Sequence, residues 1–278
     1  MIAIVGISFS SIFIRWSDAP AIVIAAYRMG FSSLILLPFV VFFERKELQR
    51  IDVRSLVVLS LVGLTLSLHF LFFISAVQQT TVASAVILVT SHPLIVCLLS
   101  ALLFREKTLH SLPGVLLGFI GVIFIYAEDY GNSNSVGNAL AFLGAVAAAA
   151  YIILGRIIRQ KMSLLSYVFL VYFFSSLFLF LLCLVFQQPL WPYPIAEYYI
   201  FVALAIVSTI FGHTLFNYSI KYLPATYISV SFLGEPIGAS ILAALLLDES
   251  PTLSVVIGGA MILSGIMFVA LKSRSLSS

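Results

Sequence analysis

The chain has 278 residues, of which 62% are apolar and only 9% charged, with a mean hydropathy of +1.17. Soluble domains run to roughly 45–50% apolar and about 25% charged, so this composition excludes a water-soluble fold and points to a bilayer. A spanning helix needs roughly 20 apolar residues, which leaves room for about ten spans in one compact membrane domain and none for a soluble catalytic module.

The apolar runs, separated by charges or by Pro/Gly/Asn turns, predict ten helices. They lie near 1–15, 20–43, 55–77, 81–103 and 109–127, and after the polar break Glu128–Asn134 near 137–158, 164–186, 197–220, 224–247 and 252–271. Met1–Ile14 has neither a basic n-region nor a small-residue cleavage site, so entry into the membrane is expected to use the spanning helices themselves. Cys97 and Cys183 fall inside apolar runs and read as small packing residues.

The basic residues set an orientation. All but Arg15 and Arg28 of the 14 lysines and arginines fall after the even-numbered helices, at Arg45, Lys46, Arg50, Arg54, Arg105, Lys107, Arg156, Arg159, Lys161, Lys221, Lys272 and Arg274. Such residues flanking short loops stay cytoplasmic. The expected location is a bacterial inner (plasma) membrane, with several passes and both termini in the cytoplasm.

The chain also repeats itself. His69, Leu71, Phe72 and Ser75 recur as His213, Leu215, Phe216 and Ser219. Pro93, Ala101-Leu-Leu103 and Glu106 recur as Pro236, Ala244-Leu-Leu246 and Glu249, and Gly114, Gly121 and Phe124 as Gly258, Gly265 and Phe268. The predicted halves are 1–128 and 136–272, with five helices each. An odd number puts the second copy upside down relative to the first, the inverted-repeat architecture of many secondary transporters. The expected fold is therefore an all-α integral membrane protein, an inverted 5+5 repeat around a central cavity. The repeat also makes helix 1 short, since residues 1–14 rise only ~21 Å; either the natural chain begins upstream or the helix is unusually brief.

Several motifs are specific enough to suggest a family. They are Ala26-Tyr-Arg28, Leu88-Val-Thr-Ser-His-Pro93, Gly212-His-Thr-Leu-Phe-Asn217, and Leu233-Gly-Glu-Pro-Ile-Gly238 followed by Leu245-Leu-Leu-Asp-Glu249. Over essentially its whole length the chain resembles the ten-helix EamA-type branch of the drug/metabolite transporter superfamily. The resemblance implies export or exchange of amino acids, their derivatives, purines, pigments or toxic compounds through a cavity lined by both halves. Superfamily members that carry phosphorylated sugars place basic residues in the cavity. Here no lysine sits mid-helix and Arg28 is the only mid-helix arginine, which argues against highly anionic substrates.

Polar residues deep in the spans are the candidate site. Glu235 is the only acidic residue deep in any span, and it is either a ligand for a cation or proton or a structural brace at Pro236. His92 precedes Pro93 at the midpoint of helix 4, and either faces substrate or satisfies the backbone that the proline opens. Arg28 has three readings: snorkelling to the outer headgroups, pairing with Asp18, or binding a substrate carboxylate. His69 and His213 are expected at opposite depths, His69 toward the outside and His213 toward the cytoplasm, too far apart to share a metal ion. Asn217 lies one turn after His213, and Tyr151 is the best aromatic candidate for the cavity. Trp191, Tyr193, Tyr198 and Tyr199 read as an interfacial belt. Gly114, Gly118, Gly258 and Gly259 read as close packing surfaces for helices 5 and 10, or as a homodimer seam.

These features predict a secondary transporter, an exporter of a small amphiphilic metabolite or amino-acid-like solute. Multidrug or toxic-compound efflux, or uptake, on the same fold is the alternative, and a channel-like or non-transport scaffold a more distant one. No P-loop is present, and no enzyme, cofactor, metal or nucleic-acid partner is expected; the partners are a small-molecule substrate and the bilayer.

Overall fold

The computed structural model describes residues 2–104, 111–128, 134–222 and 234–275, and among them every regular element is helical. The order is α1 (Ile2–Arg15), α2 (Ala21–Phe43), a single turn α3 (Arg45–Leu48), α4 (Val53–Gln79), α5 (Val82–Val89), α6 (His92–Phe104), α7 (Leu112–Glu128) and α8 (Asn134–Arg159). Then come α9 (Leu164–Val185), α10 (Ile195–Ala203), a π-helical stretch (Leu204–Thr214), α11 (Leu215–Tyr222), α12 (Gly234–Leu246) and α13 (Leu253–Ser275). The helices α10 and α11 and the π stretch between them run on as one rod, because the residues at both joins keep right-handed helical dihedrals.

Among the described residues, seven helical segments are long and apolar enough to cross a bilayer: Ala21–Phe43, Val53–Gln79, Val82–Leu99, Asn134–Arg156, Leu164–Val185, Ile195–Tyr218 and Leu253–Lys272. Three shorter apolar helices, Ile2–Arg15, Leu112–Ile125 and Gly234–Leu246, accompany them. The chain is a multi-pass membrane protein. Helices satisfy their backbone internally, the condition that hydrocarbon imposes on any spanning segment. Side-chain oxygens start several of them: Asp52 accepts from the Ser55 amide, Thr81 from Ser84 and Ser163 from Ser166. Large apolar side chains such as Phe42, Leu184 and Leu253 face outward, where lipid tails replace water.

Two expected helices differ in detail. Helix 4 is broken into α5 and α6 at Thr90–Ser91. Pro93 lacks an N–H and stands in the first turn of α6, where its fixed φ is tolerated. Of expected helix 9, residues 224–233 lie outside the described residues, as do Leu233 of the quoted motif and Arg105, Glu106 and Lys107. Pro236 accordingly falls in the first turn of α12.

The packing brings distant segments together. The helix α4 lies against α8 and α9, α2 against α9 and the π stretch, and α1 against the π stretch and α12. The broken helix α5–α6 meets α8, α5 also meets α12, and α7 lies along α13. The α7–α13 seam is close because glycines form it: a Cβ on Gly265 would come within 2.4 Å of the Gly114 carbonyl, and one on Gly121 within 2.6 Å of the Gly258 carbonyl. Gly118 and Gly259 face Leu94 and Ile87. These small-residue faces are thus occupied within the chain. Cys183 is buried and Cys97 half-buried, and neither is in a disulfide.

Candidate functional site

Where α1, α2, α4 and the π stretch meet, a buried arginine organises the centre of the bundle. Arg28 is 0% exposed. Its Nε donates to Thr209 Oγ1 at 2.9 Å, and its Nη1 donates to Ser10 Oγ at 2.9 Å. The guanidinium carbon stands 4.1 Å from the centre of the Phe70 ring, a cation–π contact. Nη2 is buried with no hydrogen-bond partner. Arg28 neither snorkels nor pairs with Asp18, whose backbone N–H instead donates to Glu197. It stays inside because Ser10 and Thr209, on neighbouring helices, offer the hydroxyls that hold it.

The π stretch positions that partnership. Its i→i+5 winding is repeated by side chains, for Thr209 Oγ1 donates to the Leu204 carbonyl and Thr214 Oγ1 lies 3.2 Å from the Thr209 carbonyl. Such turns occur frequently at functional sites. Close approach of α1 depends on two glycines: a Cβ on Gly6 would come within 2.6 Å of the Val207 carbonyl, and one on Gly212 within 2.6 Å of the Ile7 side chain.

His69 and His213 meet here, which corrects the expectation of opposite depths. Their ring centres are 6.4 Å apart, and Phe70 packs edge-on against His213 at 5.3 Å. His69 lies within one turn of the middle of α4, and His213 just over one turn past the middle of its own rod. Two imidazoles reaching inward close the remaining offset, which the π winding also shortens. His69 Nδ1 donates to the Gly144 carbonyl at 2.9 Å and so ties α4 to α8. The pair gathers no third ligand: among the described residues no group of three His, Cys, Asp or Glu is placed to hold a metal ion.

His92 braces the backbone. Its Nδ1 lies 3.0 Å from the Val89 carbonyl, the carbonyl that an N–H at position 93 would otherwise engage. Thr90 and Ser91 hydroxyls donate to the Val86 and Leu88 carbonyls, each at 2.7 Å. Glu235 opens α12, where Ser8 Oγ, whose hydroxyl donates to the Ile4 carbonyl at 2.8 Å, lies 3.4 Å from its backbone carbonyl. Its carboxylate is half-buried, lies in the electrostatic field of Arg28, and makes no ion pair with it.

Tyr151 Oη lies 3.2 Å from Oδ1 and 3.1 Å from Nδ2 of Asn217. Asn217 Nδ2 donates to the His213 carbonyl, and Tyr172 Oη lies 3.0 Å from Thr214 Oγ1. Ser10, Thr209, Phe70, Tyr172 and Thr214 were not among the site candidates of the sequence. Small hydroxyls inside apolar runs were the available signal, but such residues also serve as ordinary helix-packing donors.

Carboxylates tie the bundle at both ends. Arg15 pairs with Glu249 and donates to the Thr80 carbonyl, while the second oxygen of Glu249 accepts from the Val82 amide at 2.9 Å. Beside it Glu197 accepts from the Ser17 hydroxyl at 2.5 Å and from the Asp18 amide at 2.9 Å. At the opposite end Glu47 accepts from the Ser163 amide at 2.9 Å and from the Ser166 hydroxyl at 2.5 Å. Burial alone would raise the Glu47 carboxyl, but these bonds and nearby Arg159 outweigh it and hold it below its ordinary value. The expected belt is only partly one. Trp191 and Tyr199 are exposed, whereas Tyr193 and Tyr198 pack edge-on against Phe201, on which Tyr27 stacks at 4.9 Å.

Known proteins match this arrangement throughout. The EamA-like transporter family matches residues 1–127 and again residues 135–271. The chain belongs to the EamA-like transporter family. An uncharacterized transporter of Archaeoglobus fulgidus is 26% identical over 96% of this chain and 95% of its own length, and a second from that organism is 28% identical over 92% and 89%. The Bacillus subtilis uncharacterized transporter YetK is 26% identical over 92% of this chain and 80% of its own length. One crystal structure superposes on 100% of this chain and 96% of its own with a TM-score of 0.67 at 21% identity, a shared fold. This EamA-like protein thus has its relatives among membrane transporters of bacteria and archaea.

Proposed function

We propose that this EamA-like protein is a secondary active transporter, an exporter of a small amphiphilic or amino-acid-like solute, working by alternating access. The observation that carries the proposal is the set of polar groups left open at the centre of an apolar bundle. The Nη2 of Arg28 has no hydrogen-bond partner, and the half-buried carboxylate of Glu235 makes no ion pair with it. A charge at bilayer depth costs at least about 2.5–3.5 kcal/mol on insertion scales, so charges left unpaired there belong to a binding site rather than to packing.

Ten spans in two inverted halves fit the packing. If helices 1–5 exchange roles with helices 6–10, the contact of α4 with α8 becomes that of the π stretch with α1. The contact of α6 with α8 becomes that of α12 with α1, and that of α4 with α9 becomes that of the π stretch with α2. The pairs α2–α9, α5–α12 and α7–α13 map onto themselves. A two-fold relation of this kind lets the halves trade conformations. The Arg15–Glu249 and Glu197–Ser17 contacts then read as a closed outer mouth, with both termini cytoplasmic.

Proteoliposomes preloaded with a mixture of the twenty amino acids and exposed to an isotope-labelled mixture should show saturable counterflow. Flux that does not saturate would indicate a pore, and no exchange would exclude this solute class. Glu235→Gln should flatten the dependence of transport on an imposed pH gradient. An unchanged dependence would remove Glu235 from proton coupling.

A further inference from the structure

We infer that the open Nη2 edge of Arg28 is a subsite for a single carboxylate group of the transported solute, an assignment that rests on the carrier reading above. A guanidinium carries five N–H donors in a rigid fork. Here Thr209 and Ser10 engage one donor each on Nε and Nη1, and Nη2 engages none. Both partners are neutral hydroxyls, which fix the side chain without neutralising it. Phe70 covers one face of the fork at 4.1 Å, so the group is held in place with Nη2 buried and unengaged.

Buried charges in proteins are paired, and an arginine fork matches a carboxylate through two parallel hydrogen bonds. Among the described residues Arg28 has no such partner. Among the described residues the one ion pair joins Arg15 to Glu249. The missing counter-charge is therefore one that arrives and leaves. The surroundings restrict it further. Among the described residues, the titratable groups that interact with the fork are Tyr172, Glu235, His69 and His213, none of them an arginine or lysine. One guanidinium facing one carboxylate suits a monoanionic carboxyl, and the Glu235 carboxylate repels a second negative charge. His213 and Phe70 leave an aromatic wall beside the fork.

Purified protein in detergent tests the subsite through thermal shift, since a ligand that binds the folded state raises its melting temperature by mass action. The probes are the twenty L-amino acids and short 2-oxo and 2-hydroxy acids, each beside its carboxamide. At least one acid should bind tenfold or more tightly than its amide. Arg28→Gln should erase that preference, and Arg28→Lys, which keeps the charge but not the fork, should weaken acid binding about tenfold. Ser10→Ala and Thr209→Ala leave the guanidinium in place and loosen it; each should weaken the acid several-fold and leave the amide unmoved, which serves if Arg28→Gln fails to fold. The inference falls if no acid stabilises the wild type, if acids and amides bind alike, or if Arg28→Gln binds the acid as the wild type does. Counterflow that persists without preference for a carboxyl would remove the subsite and leave the carrier standing; loss of all counterflow would remove the carrier.

Discussion

At Pro93 the backbone loses an N–H, and the histidine before it makes good the loss by bonding the Val89 carbonyl. His92→Ala should therefore destabilise the protein by roughly 1–3 kcal/mol, the cost of an unsatisfied buried carbonyl. In a Pro93→Ala background an amide returns at position 93, and the same His92→Ala change should cost clearly less, a coupling that unfolding in detergent measures as a double-mutant cycle. Equal costs in both backgrounds would assign His92 elsewhere. The sequence made His92, Glu235 and Arg28 conspicuous because polar residues are rare in apolar runs. It did not disclose the partners of Arg28. A serine or threonine in a membrane helix looks the same whether it bonds its own backbone, as Thr90 does, or a distant arginine, as Ser10 does.

Element boundaries were legible wherever a polar cap or charge cluster stood at the end of an apolar run, as at Asp52 and Ser163. The single turn α3 and the π winding were not, because neither alters the apolar pattern over a span. That turn has a function in the packing: it carries Glu47 to the N-terminus of α9, where the carboxylate accepts from Ser163 and Ser166. Since folding lowers the affinity of this carboxyl for a proton, its contribution is present above the unfolded pKa of about 4.3 and lost as the pH falls through the lower folded value. Glu47→Gln should lower the melting temperature at neutral pH, and the gap to the wild type should shrink as the pH drops below about 4. A gap that is constant with pH would mean that shape, not charge, matters there.

For the molecule as a whole, composition alone established the membrane fold, and charge placement and repetition suggested two inverted halves. Depth was harder to read. Counting residues from helix ends separated His69 from His213, whereas their rings lie 6.4 Å apart, because tilt, π winding and side-chain reach do not register in a count. The two ends of the bundle are tied by Arg15–Glu249 and by Glu47–Ser163, and a carrier must release these ties in turn to expose the polar centre between them. Accessibility of that centre tests the account most directly. With Cys97→Ser and Cys183→Ala as background, His213→Cys should react with a membrane-impermeant maleimide in right-side-out and in inverted vesicles alike. Reaction from one face only, under every condition, would contradict alternating access.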